Sequence, residues 1–236
     1  MTPNIQDFQK FALSNGISTM KMDAFSKSNF YPMYGYVNPT ILEERQLNVT
    51  ALDIFSRLLM DRTLFLGSEI NSEVAHIISA QLLWLEQQGD GDITIMVSSP
   101  GGSIYAGLEC IDCMNFVKPD IATVCMGMVA SMATVISSSG TKGKRSILPN
   151  ASFLIHQPLG SIGGMTQASD MTIQVNEINA LKDKLYKILS SNSNLSYEEI
   201  EKKCDRDCIL TAQETVDLGF ADNIIQTNNI NKKPVE

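Results

Sequence analysis

Between Ile121 and Thr141 the chain carries no charged side chain. Length alone would let such a run span a bilayer. It holds four serines, however, and Gly127 interrupts it. A buried strand over Ile121–Cys125, then a helix from Ala130 to about Gly140, fits the pattern better. Ser131 falls at the joint. A strand-to-helix joint exposes a side chain at the tip of a turn and aims backbone N–H groups nearby. The flanks Val129-Ala130 and Met132-Ala133 are not those of a Gly-x-Ser-x-Gly elbow. Two readings stay open: Ser131 is a nucleophile, or it is a small residue packed in a tight helix contact.

A serine nucleophile needs a base, and the chain has only two histidines. His76 lies in a predicted helix capped by Asn71 or Ser72, near its apolar face, and reads as a packed or capped residue. His156 ends the apolar run Phe153-Leu154-Ile155 and precedes Gln157-Pro158, so its ring should emerge at a strand terminus. It is the better base. Lys142 or Lys144 is the alternative partner, as in a Ser/Lys protease. The acid that would orient the imidazole is one of 26 acidic residues, and spacing singles none out. Pro100-Gly101-Gly102 follows the apolar strand Ile93–Val97. Its amides would cradle an oxyanion, or it is an ordinary turn.

Elsewhere, strands and helices alternate, which implies parallel pairing with helical crossovers. Ser146–Leu148 and Ser152–Ile155, joined by Pro149-Asn150, read as a hairpin. Met171, Val175, Ile178, Leu181, Leu185 and Ile188 mark one long amphipathic helix. Its apolar stripe is longer than a single domain needs and suggests a subunit interface. Ser196 to Glu199 and Thr211 to Glu214 have capping-box spacing before two short helices. Thr50–Asp53 resembles a further helix start. Residues 1–35 are rich in Ser, Asn, Met and aromatics and read as a leader or mobile arm. Residues 36–228 form the domain, and 229–236 a flexible tail.

The chain has 236 residues, 44% hydrophobic and 19% charged, enough for one core of ordinary composition. A net charge of −8 argues against nucleic acid. Lys142-Gly143-Lys144-Arg145 reads as a solvated turn. Five cysteines do not close into disulfide pairs. Cys110/Cys113 with Cys204/Cys208 would be a zinc site only if the two pairs met; buried free thiols are the simpler reading. No phosphate-binding loop of the Gly-rich Lys-Ser/Thr type is present, so the chain should not hydrolyse ATP, and no cofactor is expected. The first residues lack a basic start and an apolar core, so a cytoplasmic location is expected.

Ser99-Pro100-Gly101-Gly102, Cys125-Met126-Gly127, Ala130-Ser131-Met132, Gly143-Lys144-Arg145, Leu148-Pro149-Asn150, Ile155-His156-Gln157-Pro158 and Asp205-Arg206-Asp207 recur here in order. Together they resemble the Clp protease proteolytic subunits, a serine peptidase family, from about residue 38 to 226. The resemblance implies an α/β fold: a crotonase-like spiral of strand–helix repeats with a projecting handle helix, here Met171 to Ser190 preceded by Ser161 to Ala168. It implies a triad in which Ser131 attacks, His156 relays the proton and Asp207 orients His156. It implies an oxyanion hole from the amides of Gly102 and Met132, and an inter-ring pair in Asp205 and Arg206. Two stacked heptamers, fed with unfolded polypeptide by an AAA+ unfoldase of the Clp type, follow by similarity, as does a self-processed leader ending near Gly35. Thr94 and Met96 stand where relatives commonly place aromatics for the unfoldase. Two other functions compete: a crotonase-like acyl-CoA enzyme, and a non-catalytic ring subunit.

Overall fold

A computed structural model describes residues 40–45, 48–160 and 167–226. The expected leader, the tail and the segment Ser161 to Thr166 lie outside the described residues. Within the first of two units, residues 1–53, β1 (Thr40–Arg45) pairs antiparallel with β2 (Asn48–Asp53), with Arg45 opposite Asn48. Thr50–Asp53 therefore belongs to a strand, and helix α1 (Ile54–Met60) begins one residue later. Pairing with β1 takes the backbone groups that a helix start would use.

The second unit, residues 54–236, is built on a seven-stranded sheet. Strands β3 (Thr63–Leu66), β4 (Ile93–Ser99), β5 (Ile121–Ala130), β6 (Arg145–Ile147) and β9 (Asn223–Ile224) pair in that order, all parallel. The crossovers are α2 (Ser72–Gln87), α3 (Ile104–Phe116) and α4 (Met132–Ser138). β4 alternates buried and half-buried along its whole length, as a strand with one face on the core must. Ile93, Ile95 and Val97 meet Ala75, Ile78, Leu82 and Leu85 of α2 and Cys110, Ile111 and Met114 of α3 in one apolar core. Asn71 caps α2 through Oδ1, which accepts from Val74 N at 2.9 Å. Both expected capping boxes form, at the start of α6 (Tyr197–Cys204) and of α7 (Ala212–Asp217). The long helix is α5 (Ala168–Ser191). Leu185, Tyr186 and Leu189 bury its second half, while Met171, Ile173 and Val175 remain exposed in its first.

Two local expectations fail for non-local reasons. The strand does not break at Gly127 but runs on to Ala130. Between the pairs Val97–Cys125 and Ser99–Val129 one residue of β4 lies against three of β5, a bulge in which Gly127 holds φ +60°. Beyond the bulge β5 faces a new neighbour. Its first half, Thr123–Cys125, pairs with β6, and its second, Met128–Ala130, with β7 (Ser152–Ile155). β6 and β7 are thus not a hairpin: both lie parallel to β5, and the Leu148–Ala151 turn steps the chain from one half to the other. β7 then pairs antiparallel with β8 (Cys208–Leu210).

The turn around Lys142 is solvated only in part. Arg145 is buried and forms an ion pair with Asp222 at 2.6 Å. It also donates to the carbonyls of Ser138 and Asn192, tying the ends of α4 and α5 to the sheet. Burial pushes the Asp222 carboxyl up, but hydrogen bonds from the Arg145 guanidinium and from the amides of Arg145 and Gly143 outweigh it. The net position is below the usual carboxylate range. Replacing Arg145 by Ala strands a half-buried carboxylate and should cost about 3 kcal/mol in urea unfolding at neutral pH. Because the folded-state pKa of Asp222 is depressed, its contribution is complete above the unfolded value of about 3.9 and is lost as pH falls through the folded one. The gap between wild type and Arg145→Ala should therefore narrow in acid.

Candidate active site

Ser131 stands between β5 and α4 with φ +55° and ψ −128°, a left-handed conformation unusual for a residue with a β-carbon. Three hydrogen bonds hold it there. Its N–H donates to Leu154 O at 2.9 Å, and its carbonyl accepts from Thr134 N at 2.9 Å and Thr134 Oγ1 at 2.6 Å. The hydroxyl makes no capping bond to α4 and stays available. The geometry is that of a strained strand–turn–helix elbow, reached without its flanking glycines.

The glycine turn presses against this elbow. A β-carbon on Gly101 would lie 2.6 Å from Ser131 Cβ, 2.6 Å from Ala130 O and 2.9 Å from Met132 N. One on Gly102 would lie 2.2 Å from Ile70 O. The two glycines hold φ +92° and +152°. Ile70 brackets them, donating to Gly101 O at 2.8 Å and accepting from Ser103 N at 2.7 Å. Pro100-Gly101-Gly102 is thus a fixed shelf over Ser131, in which Gly101 packs on Ser131 and Met132 N and the exposed Gly102 packs on Ile70.

His156 follows the last residue of β7 and is half-buried. The β5–β7 register sets Ala130 beside Leu154, so the next steps bring Ser131 to the end of β7 where His156 emerges. The β7–β8 ladder ends with Ile155 opposite Cys208, and His156 and Asp207 are the residues that adjoin this last pair. The next residue, Gln157, fastens this corner: its N–H donates to Cys204 O at 2.7 Å and its Nε2 to Asp205 O at 3.0 Å. The strand ends thus bring all three expected residues to one corner of the sheet. Among the described residues no hydrogen bond or ion pair yet joins their side chains. Asp207 is exposed, as are Asp205 and Arg206, whose charged ends lie 3.8 Å apart. A cleft of about 450 Å³ beside Asp205, lined also by Gln157, Lys182 and Tyr186, includes none of the three.

The competing bases lie elsewhere. Lys144 is bound to Asp92 at 2.6 Å and Asp120 at 2.8 Å, beside the starts of β4 and β5, while Ser131 follows the far end of β5. Hydrogen bonds to Asp120 and Asp92 raise its pKa and keep it cationic, the wrong state for a base. Lys142 sits in the same loop. His76 is exposed rather than packed, with Nε2 3.5 Å from Glu109 Oε2. The cysteine pairs lie on different elements. Burial, reinforced by charged or thiol neighbours, pushes Cys110 and Cys204 up to about 12, so both stay neutral thiols. Among the described residues no helix is long and apolar enough to cross a membrane; Ile121–Thr141 is β5, α4 and the turn after it.

If the elbow is strained as its angles indicate, removing the β-carbon should relieve it. Ser131→Gly should be more stable than Ser131→Ala by about 1 kcal/mol in urea unfolding, although glycine usually destabilises. Equal stabilities would show that the turn carries no strain.

The Clp protease family model matches residues 45–228. Among curated relatives, an ATP-dependent Clp protease proteolytic subunit of Bacteroides fragilis is 48% identical over 223 residues, covering 94% of this chain and 99% of its own. That of Porphyromonas gingivalis is 45% identical over 226 residues (95% and 99%), and that of Lactococcus lactis subsp. cremoris 47% over 197 (83% and 99%).

Proposed function

The chain belongs to the Clp protease family, and from that premise we propose that it is a serine endopeptidase that cuts unfolded polypeptides with Ser131, His156 and Asp207. The observation that carries the assignment is the strained Ser131 elbow under the Gly101-Gly102 shelf, near the corner where His156 follows β7 and Asp207 precedes β8.

Asp207 turns toward the imidazole and holds it in the tautomer whose free nitrogen faces Ser131. Ser131 Oγ then attacks the peptide carbonyl while its proton passes to His156. The carbonyl oxygen becomes an oxyanion between the amides of Gly102 and Met132, worth roughly 3–4 kcal/mol of barrier per donor in comparable sites. The C–N bond breaks, His156 returns the proton to the leaving amine, and an acyl ester remains on Ser131. Water, deprotonated by His156, attacks the ester; the acid product leaves and Ser131 regains its proton. No metal or nucleotide takes part in these steps.

The relatives' names describe an ATP-dependent proteolytic subunit, so an unfoldase of the Clp type is the proposed partner, and it would consume the ATP. The exposed apolar first half of α5 supports assembly with further copies. Two stacked heptamers, contacting through α5 and the Asp205–Arg206 pair, are the assembly we propose, in the cytoplasm. A chamber of this kind would select substrates by access.

A fluorogenic peptide and a serine-directed phosphonate test the assignment. Ser131→Ala and His156→Ala should each lower kcat/KM at least about 10³-fold, and Ser131→Ala should abolish labelling. Labelling that survives Ser131→Ala, or faster turnover of a CoA thioester than of peptide, would refute it.

A further inference from the structure

The shelf over Ser131 has a brace of its own. Ser99 ends β4, opposite Val129 in the β4–β5 ladder, and is 1% exposed. Its hydroxyl donates to Ser68 O at 2.6 Å and accepts from Gly101 N at 3.1 Å. The first bond ties the shelf to the segment between β3 and α2, the same segment whose Ile70 brackets Gly101 and Ser103. The second occupies the Gly101 amide. A buried hydroxyl that both donates and accepts has its proton direction fixed by its partners. With Ser99 Oγ donating to Ser68, its lone pairs are what Gly101 meets.

The consequence is selective. Gly101 packs directly on Ser131 and Gly102 follows it in the shelf, and glycines could rotate either amide toward a developing oxyanion. Gly101 is engaged by Ser99. Among the described residues the Gly102 N–H has no protein acceptor and lies on the exposed side of the turn. We infer that Ser99 is a positioning residue for the reaction: it holds Gly101 turned inward so that Gly102 alone is presented to the oxyanion. The inference rests on the serine-peptidase reading above and adds a residue to it. Ser99 touches neither substrate nor reacting atoms and acts wholly through the shelf.

Positioning of this sort matters in the transition state more than in the ground state. Ser99→Ala removes one oxygen from a buried site and adds no volume. Measured on the full chain, it should lower kcat for a fluorogenic peptide by about 10- to 100-fold while KM stays within about twofold. A peptidyl boronate, which becomes a tetrahedral anion on the serine, should lose affinity by a comparable factor. Native mass and melting temperature should stay close to wild type, and Ser99→Thr, which keeps the hydroxyl, should recover most of the activity. Wild-type kcat in Ser99→Ala overturns the inference, as does a lowered kcat with unchanged boronate affinity, since that marks a merely structural role. Ser131→Ala run in parallel separates the two levels. If that variant keeps its activity, the peptidase reading itself fails; if it is inactive while Ser99→Ala behaves as wild type, only the role of Ser99 fails.

Discussion

Strand β5 hydrogen-bonds one neighbour along its first half and another along its second, and the position of every candidate catalytic group follows from that division. The bulge at Gly127 lets one strand serve two ladders. With it, the end of β7 reaches the serine, and β8, paired to β7 on its other edge, delivers Asp207 to the same corner. Backbone ladders thus fix where the segments carrying Ser131, His156 and Asp207 leave the sheet.

The elbow and the shelf constrain each other. Ser131 holds an unfavourable backbone conformation because Leu154 and Thr134 take its N–H and its carbonyl. The turn of Gly101 and Gly102 fits over it because neither residue has a β-carbon to collide with Ser131 or Ile70. Strain stored at such a joint is tolerated where the surrounding hydrogen bonds over-determine it. Arg145 and Asp222 perform the matching task beside the first half of β5, locking β6, the start of β9 and the ends of α4 and α5 together.

Much of this was legible in the residues, and the failures share one physical cause. The capping boxes, the Asn71 cap and the strand over Ile93–Val97 are local patterns, and all form. The false hairpin at Ser146–Ile155 and the false break at Gly127 concern which strand pairs with which, a choice made by distant residues. Arg145 looked like part of a solvated basic turn because its acidic partner lies 77 positions on. Asp207 could not be singled out among 26 acidic residues by spacing; the resemblance named it, and the β7–β8 ladder ends at the pair Ile155 and Cys208 that His156 and Asp207 adjoin. Ser99 was visible only as the first letter of a glycine motif, and its two hydrogen bonds carry its meaning.

The most direct test is a crystal structure of the protein after reaction with a peptidyl phosphonate. The account predicts phosphorus on Ser131 Oγ, one phosphoryl oxygen within about 3 Å of both the Gly102 and Met132 amides, and the His156 ring bridging Ser131 and Asp207. An adduct on another residue, or an imidazole that stays out of reach of both partners in the reacted protein, would contradict it.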